Sequence, residues 1–170
     1  MTPIVSIIMG STSDMPVMEA AAKYLNDMQI PFEINALSAH RTPELVAEFA
    51  KNAASKGIKV IIAAAGGAAH LPGVIAASTV LPVIGVPIKT TMGMEAWDSM
   101  LSIIQMPPGI PVATVGVNAA QNAAILATQI LAVADPKIRQ KVVTKKAALA
   151  DKITKANEEL KKVKFDYKTN

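Results

Sequence analysis

Two histidines, His40 and His70, each follow an apolar, strand-like run and stand among small residues: Ser38-Ala39-His40-Arg41-Thr42-Pro43 and Gly66-Gly67-Ala68-Ala69-His70-Leu71-Pro72. Imidazole, with an unperturbed pKa of about 6.5, can both give and take a proton near neutrality. Arg41 sets a guanidinium fork beside the first histidine. A proton shuttle next to an anion clamp points to acid–base chemistry on a small, negatively charged substrate. A third segment, Gly10-Ser11-Thr12-Ser13-Asp14, places three hydroxyls and a carboxylate where a strand-like run gives way to a helical one. Free N–H groups at such a helix start suit a phosphate or sugar.

Each segment also has a purely structural reading. Ser13 or Asp14 can cap the helix that follows. His70 either lines a pocket or caps the helix beginning at Leu71. Gly66-Gly67 either lets backbone approach a ligand or makes a tight turn. Other chemistries find no support. There is no Gly-x-Gly-x-x-Gly fingerprint and no Walker-type Gly-Lys-Thr loop. Ser11, Asp14 and His40 compose a hydrolytic triad on paper, but no Gly-x-Ser-x-Gly elbow carries the serine. Two histidines without a cysteine or carboxylate cluster make a poor zinc set, so no metal is expected.

These residues need a frame to bring them together. Apolar runs bounded by Gly or Pro at Ile4–Met9, Phe32–Leu37, Lys59–Ala65, Val83–Val86 and Val112–Val117 read as strands. Helical spacing fills Met15–Met28, Pro43–Lys56, Leu71–Thr79, Glu95–Met106 and Ala119–Ala134. Strands joined by helical crossovers are parallel, and continuous apolar strands fit a sheet covered on both faces. The fold expected is α/β: a three-layer α/β/α sandwich, flavodoxin-like, with a five-stranded parallel sheet. Ligands of such sheets bind outside the carboxyl ends of the strands, where both histidines map. Residues 1–170 are read as a single catalytic domain, in which 136–170 form a basic C-terminal helical extension.

Composition sets the surroundings. Hydrophobic residues make up 51% and aromatics only 4%, so the core is aliphatic and suits close helix-on-sheet layers. The absence of cysteine excludes disulfides and thiolate catalysis and agrees with a reducing compartment, the cytoplasm by default. No apolar run reaches the ~20 residues of a membrane span, and residues 1–10 read as a strand rather than a leader. The net charge of +4 is uneven: residues 136–170 carry 11 Lys/Arg against 4 Asp/Glu. Lysines spread along an amphipathic helix with Ile138, Val142, Leu149, Ile153 and Leu160 read as a solvated face, not a nucleic-acid or lipid surface. The apolar stripe of that helix needs a partner, for which a neighbouring subunit is the natural source.

With Gln105-Met106-Pro107-Pro108-Gly109-Ile110-Pro111-Val112, the three loop segments resemble, in order over about residues 4–134, the N5-carboxyaminoimidazole ribonucleotide mutase family of purine biosynthesis. Ala96-Trp97 departs from the Gly-Val pair common there, and Ala119-Ala120 from a glycine usually found before the corresponding Asn122. The resemblance implies a cytoplasmic homo-octamer whose sites form where subunits meet. It also implies an isomerase that moves a carboxylate from the exocyclic nitrogen of an aminoimidazole ribonucleotide to a ring carbon, without metal, ATP or biotin. By the same resemblance His40 is the general acid and base. Arg41, Ser38, Ser11 and Ser13 hold the phosphate, Asp14 accepts from ribose hydroxyls, and the Gly66–Leu71 loop, with Ala68, His70 and Leu71, walls the base and transient carbon dioxide. A related class carboxylates the aminoimidazole directly and tends to carry Lys after the histidine; Arg41-Thr42 favours the mutase.

Overall fold

A computed structural model describes residues 1–170. Strands β1 (Val5–Met9), β2 (Phe32–Ala36), β3 (Val60–Gly66), β4 (Val83–Ile88) and β5 (Ala113–Thr114) alternate with helices α1 (Met15–Asp27), α2 (Pro43–Asn52), α3 (Leu71–Ser78), α4 (Trp97–Ile104) and α5 (Ala120–Ala132). Helix α6 (Pro136–Lys161) follows. All the strands are parallel, in the order β2-β1-β3-β4-β5. This is the flavodoxin-like three-layer α/β/α arrangement expected from the sequence.

The two-residue period of a strand sorts its side chains into two cores. Val5, Ile7 and Met9 of β1, with Val60, Ile62 and Ala64 of β3, face α1 and α5. Ile8, Ile61 and Ala63 face the opposite layer, with Val46 of α2, Ile75 of α3 and Ile103 of α4. Ser6 is the polar exception: it is fully buried and donates to Glu33 Oε1 at 2.8 Å. Alanines 120, 123, 124 and 127 give α5 the flat face that lets it lie close to the sheet.

Several element boundaries differ from the sequence reading, and three of the differences have a visible cause. Strand β5 is short, although the chain keeps tracking β4 through Val115 N–H to Gly85 O and Asn118 N–H to Pro87 O before turning away at Asn118, φ 55°. Helix α2 stops at Asn52 and closes with Ile58 N–H on Ala53 O and Gly57 N–H on Ala54 O. Gly57 supplies the left-handed residue that such an ending needs, at φ 96°. Helix α4 begins at Trp97 rather than Glu95, because Glu95 and Ala96 hold φ 53° and 68°; Ala96 thus stands where glycine would adopt the conformation without strain.

Asp135 caps α6, its Oδ1 accepting from Lys137 N–H at 2.8 Å and Ile138 N–H at 3.2 Å. The expected apolar stripe divides. Ile138 and Val142 pack on the chain's own α1–α5 core, and Lys141 Nζ donates to Met28 O at the end of α1. Leu149, Ile153 and Leu160 remain exposed. Asp135→Ala is expected to cost about 1 kcal/mol, read as a melting point lower by about 2–4 °C. No helix is long and apolar enough to cross a membrane.

Candidate active site

Helices α1 and α3 leave neighbouring strands β1 and β3 toward opposite faces of the sheet, so the loops after these strands part and leave a crevice at the carboxyl edge. A cavity of about 380 Å³ occupies it, within the range of small-molecule sites. Of the nine residues singled out in the sequence, eight line it. Ala68 does not: it is exposed, and buried Ala69 takes its place on the wall.

The loop after β1 supplies Ser11, Ser13 and Asp14. Ser11 does the capping, accepting from Ser13 N–H at 3.3 Å in a short 3-10 turn. Asp14 precedes α1 but makes no cap bond, so neither it nor Ser13 is accounted for as a helix cap. Asp14 is only 7% exposed, and its one side-chain donor is Ser13 Oγ at 3.4 Å. Burial raises its pKa, opposed by the Ser13 hydroxyl and the Ser11 backbone. A carboxylate short of donors suits a ligand that brings hydroxyls. It also weakens the fold. The folded chain holds this proton more tightly than the unfolded one, so stability falls as pH rises from the ordinary value of 3.8 through the raised one and stays lower above it. Asp14→Asn is therefore expected to melt above the wild type at pH 7, and this gain should vanish when both are melted below pH 3.8.

The loop after β2 is clasped by Thr42. Its N–H and Oγ1–H both reach Ser38 O, and Ser38 N–H returns to Thr42 Oγ1 at 3.0 Å. Thr42 therefore makes no cap bond to α2, although it stands at the N-cap position just before Pro43, the first residue of the helix. Ser38 Oγ accepts from Arg41 N–H at 3.2 Å and from Arg41 Nε at 3.3 Å. With both lone pairs engaged, the hydroxyl proton is left to donate outward. Arg41 Nη2 donates to Gly10 O at 2.8 Å, joining the first two loops, while Nη1 makes no bond within the chain. Arg41 and the hydroxyls of Ser11, Ser13 and Ser38 thus line one cavity.

The loop after β3 turns through Gly67 at φ 59° and Ala69 at φ 47°. The hydroxyl of Ser102 on α4 holds Ala68 O. A Cβ on Gly66 would lie 2.2 Å from Thr90 Cγ2, so glycine is what lets the β3 and β4 ends approach. His70 precedes α3 without capping it. Of its two sequence readings, the pocket wins: His70 Nδ1 lies 2.8 Å from His40 Nε2, with the rings nearly edge to face. The sequence reading missed Thr90, whose only signal is its place two residues beyond β4 on the same sheet edge, and Ala65, just before the Gly66–Leu71 wall. No three side chains of His, Cys, Asp or Glu converge as metal ligands would.

The N5-carboxyaminoimidazole ribonucleotide mutase of Pyrococcus abyssi is 59% identical over 140 residues, 82% of this chain and 80% of that protein. The protein of the same name from Thermotoga maritima is 51% identical over 163 residues, 96% of this chain and 95% of its own. The crystal structure of Treponema denticola PurE has a TM-score of 0.84 at 31% identity, covering 94% of this chain and 99% of that one. The family model described as AIR carboxylase matches residues 4–152, a span that runs from β1 into α6 and takes in every residue that lines the cavity. The chain belongs to the AIR carboxylase family.

Proposed function

We propose that this enzyme is an isomerase of purine biosynthesis, an N5-carboxyaminoimidazole ribonucleotide mutase that converts its substrate to 4-carboxy-5-aminoimidazole ribonucleotide. The observation that carries the reading is that His40 and a cluster of anion donors share one cavity in a chain of this family. Arg41, Ser38, Ser11 and Ser13 hold the phosphate, where a fixed guanidinium and hydroxyl donors meet a dianion. Asp14 accepts from the ribose hydroxyls. His40 gives a proton to the exocyclic nitrogen as the N–CO2 bond breaks. Carbon dioxide stays against the Gly66–Leu71 wall, with Ala69 where Ala68 was expected, until the ring carbon adds to it and His40 takes that carbon's proton back. One bond breaks, one forms, and the histidine ends as it began. No external proton, nucleotide or redox partner enters the balance.

Residues 1–170 act as one catalytic domain with α6 as its extension, and the protein works in the cytoplasm. Eight copies assemble, with sites formed where copies meet. Trp97, Leu101 and Ile104, exposed along one side of α4 beside the third loop, and the bare stripe of α6 offer apolar surface for that assembly.

Supplying either the carbamate alone or the unmodified aminoimidazole ribonucleotide with bicarbonate, and following the carboxylated product, tests the reading. Turnover of the carbamate without added bicarbonate is expected. Faster product formation from the unmodified ribonucleotide and bicarbonate would make the protein a direct carboxylase instead.

A further inference from the structure

His40 makes one side-chain hydrogen bond with the chain, through Nε2 to Nδ1 of His70 at 2.8 Å. Such a bond needs one N–H and one lone pair, so the tautomer of either ring fixes that of the other. His70 is placed for this contact rather than for packing. It is exposed, and it leaves the start of α3 without a side-chain cap. Its backbone is fixed from behind by Ser102 on Ala68 O and by the left-handed turn at Gly67 and Ala69. A fixed loop therefore presents an imidazole to the one nitrogen of His40 that is engaged.

We propose that His70 is a positioning residue for the proton transfers of His40, an inference that rests on the mutase reading of the site. His70 Nδ1 accepts from His40 Nε2–H throughout the reaction, and His40 Nδ1 is the atom that gives and takes the proton. When Nδ1 releases its proton to the exocyclic nitrogen, the hydrogen bond keeps the remaining proton on Nε2. The lone pair then stays on Nδ1, ready for the proton of the ring carbon. No proton passes to His70. The role matches that of a group that orients a general base through its second nitrogen. Without His70 the neutral ring would exchange tautomers and rotate, and only part of the population would present a base to the substrate.

The test compares the full-length wild type with His70→Phe and His70→Asn, whose amide oxygen can accept in place of Nδ1. In 15N NMR of the substrate-free proteins, the wild type and His70→Asn are expected to hold a proton on His40 Nε2, and His70→Phe to show a mixture of tautomers. On whichever of the two ribonucleotide substrates the wild type turns over, His70→Phe should lower kcat about 10- to 100-fold, the range of a hydrogen bond to a charged ring. KM should stay within about threefold, and His70→Asn should recover most of kcat. An unchanged His40 spectrum in His70→Phe, or a loss confined to KM, would overturn the proposal. The spectrum decides it without substrate, so failure of the positioning role is told apart from failure of the mutase reading.

Discussion

His40→Asn is expected to lower turnover by about 100- to 10,000-fold, the contribution of a positioned general acid and base, while nucleotide affinity stays within about threefold. The separation follows from the geometry. The imidazole is exposed, and its side chain bonds only to His70, so the substitution leaves no buried group without a partner. The anion donors are held by other contacts. Arg41 is fixed by Gly10 O and Ser38 Oγ, and Ser11 by Ser13 N–H, none of which runs through the His40 ring. Asparagine keeps a polar group where the near edge of the ring lies but cannot exchange a proton near neutrality. Turnover assays on the carbamate, calorimetric titration with the product nucleotide and a thermal melt check the three parts of this expectation. Activity near the wild-type level would remove His40 from the proton-transfer role. A lost affinity equal to the lost rate would place it in binding instead.

The parts of the fold legible in the sequence are those fixed by burial on both faces. β1, β3 and β4 read as near-continuous apolar runs, broken only by Ser6, because each is flanked by strands and covered by two helix layers. β5 has a neighbour on one side only, so its apolar run overstates the ladder it forms. The end of α2 and the start of α4 were hidden for another reason: they depend on left-handed residues, and only Gly57 announces itself by type, whereas Glu95 and Ala96 do not. Capping residues misled in the same way. Thr42 has the right type and position for α2, but its hydroxyl serves the turn that presents Ser38, His40 and Arg41. Local rules are overridden where a site is built. The contact of His40 with His70 could not be read from spacing at all, because β1 lies between the strands that carry them, and only the strand order brings the two loop ends over it.

Arg41→Leu is expected to weaken nucleotide binding by about 100-fold or more while kcat changes by less than about threefold. Hydrogen bonds to charged groups are each worth about 1.5–3 kcal/mol, and about 1.4 kcal/mol is a factor of ten in affinity. In the free protein the guanidinium is already held by Nη2 on Gly10 O and Nε on Ser38 Oγ, so little side-chain freedom remains to be lost when Nη1 meets the phosphate. Leucine removes the charge and also frees Ser38 Oγ from one of its two donors, so the hydroxyl loses its fixed outward proton. Arg41→Lys should recover at most a part of the loss. A single ammonium cannot reproduce the planar fork that joins the two loops and still face the ligand. Because the remote phosphate is bound alike before and during the chemical step, the effect belongs in KM and Kd rather than kcat. Two controls give the expectation its edge. Wild-type affinity should fall with added salt more steeply than that of Arg41→Leu, and the nucleoside lacking the phosphate should bind wild type and variant equally well. Equal losses for nucleotide and nucleoside would show that Arg41 shapes the loop rather than clamps the anion.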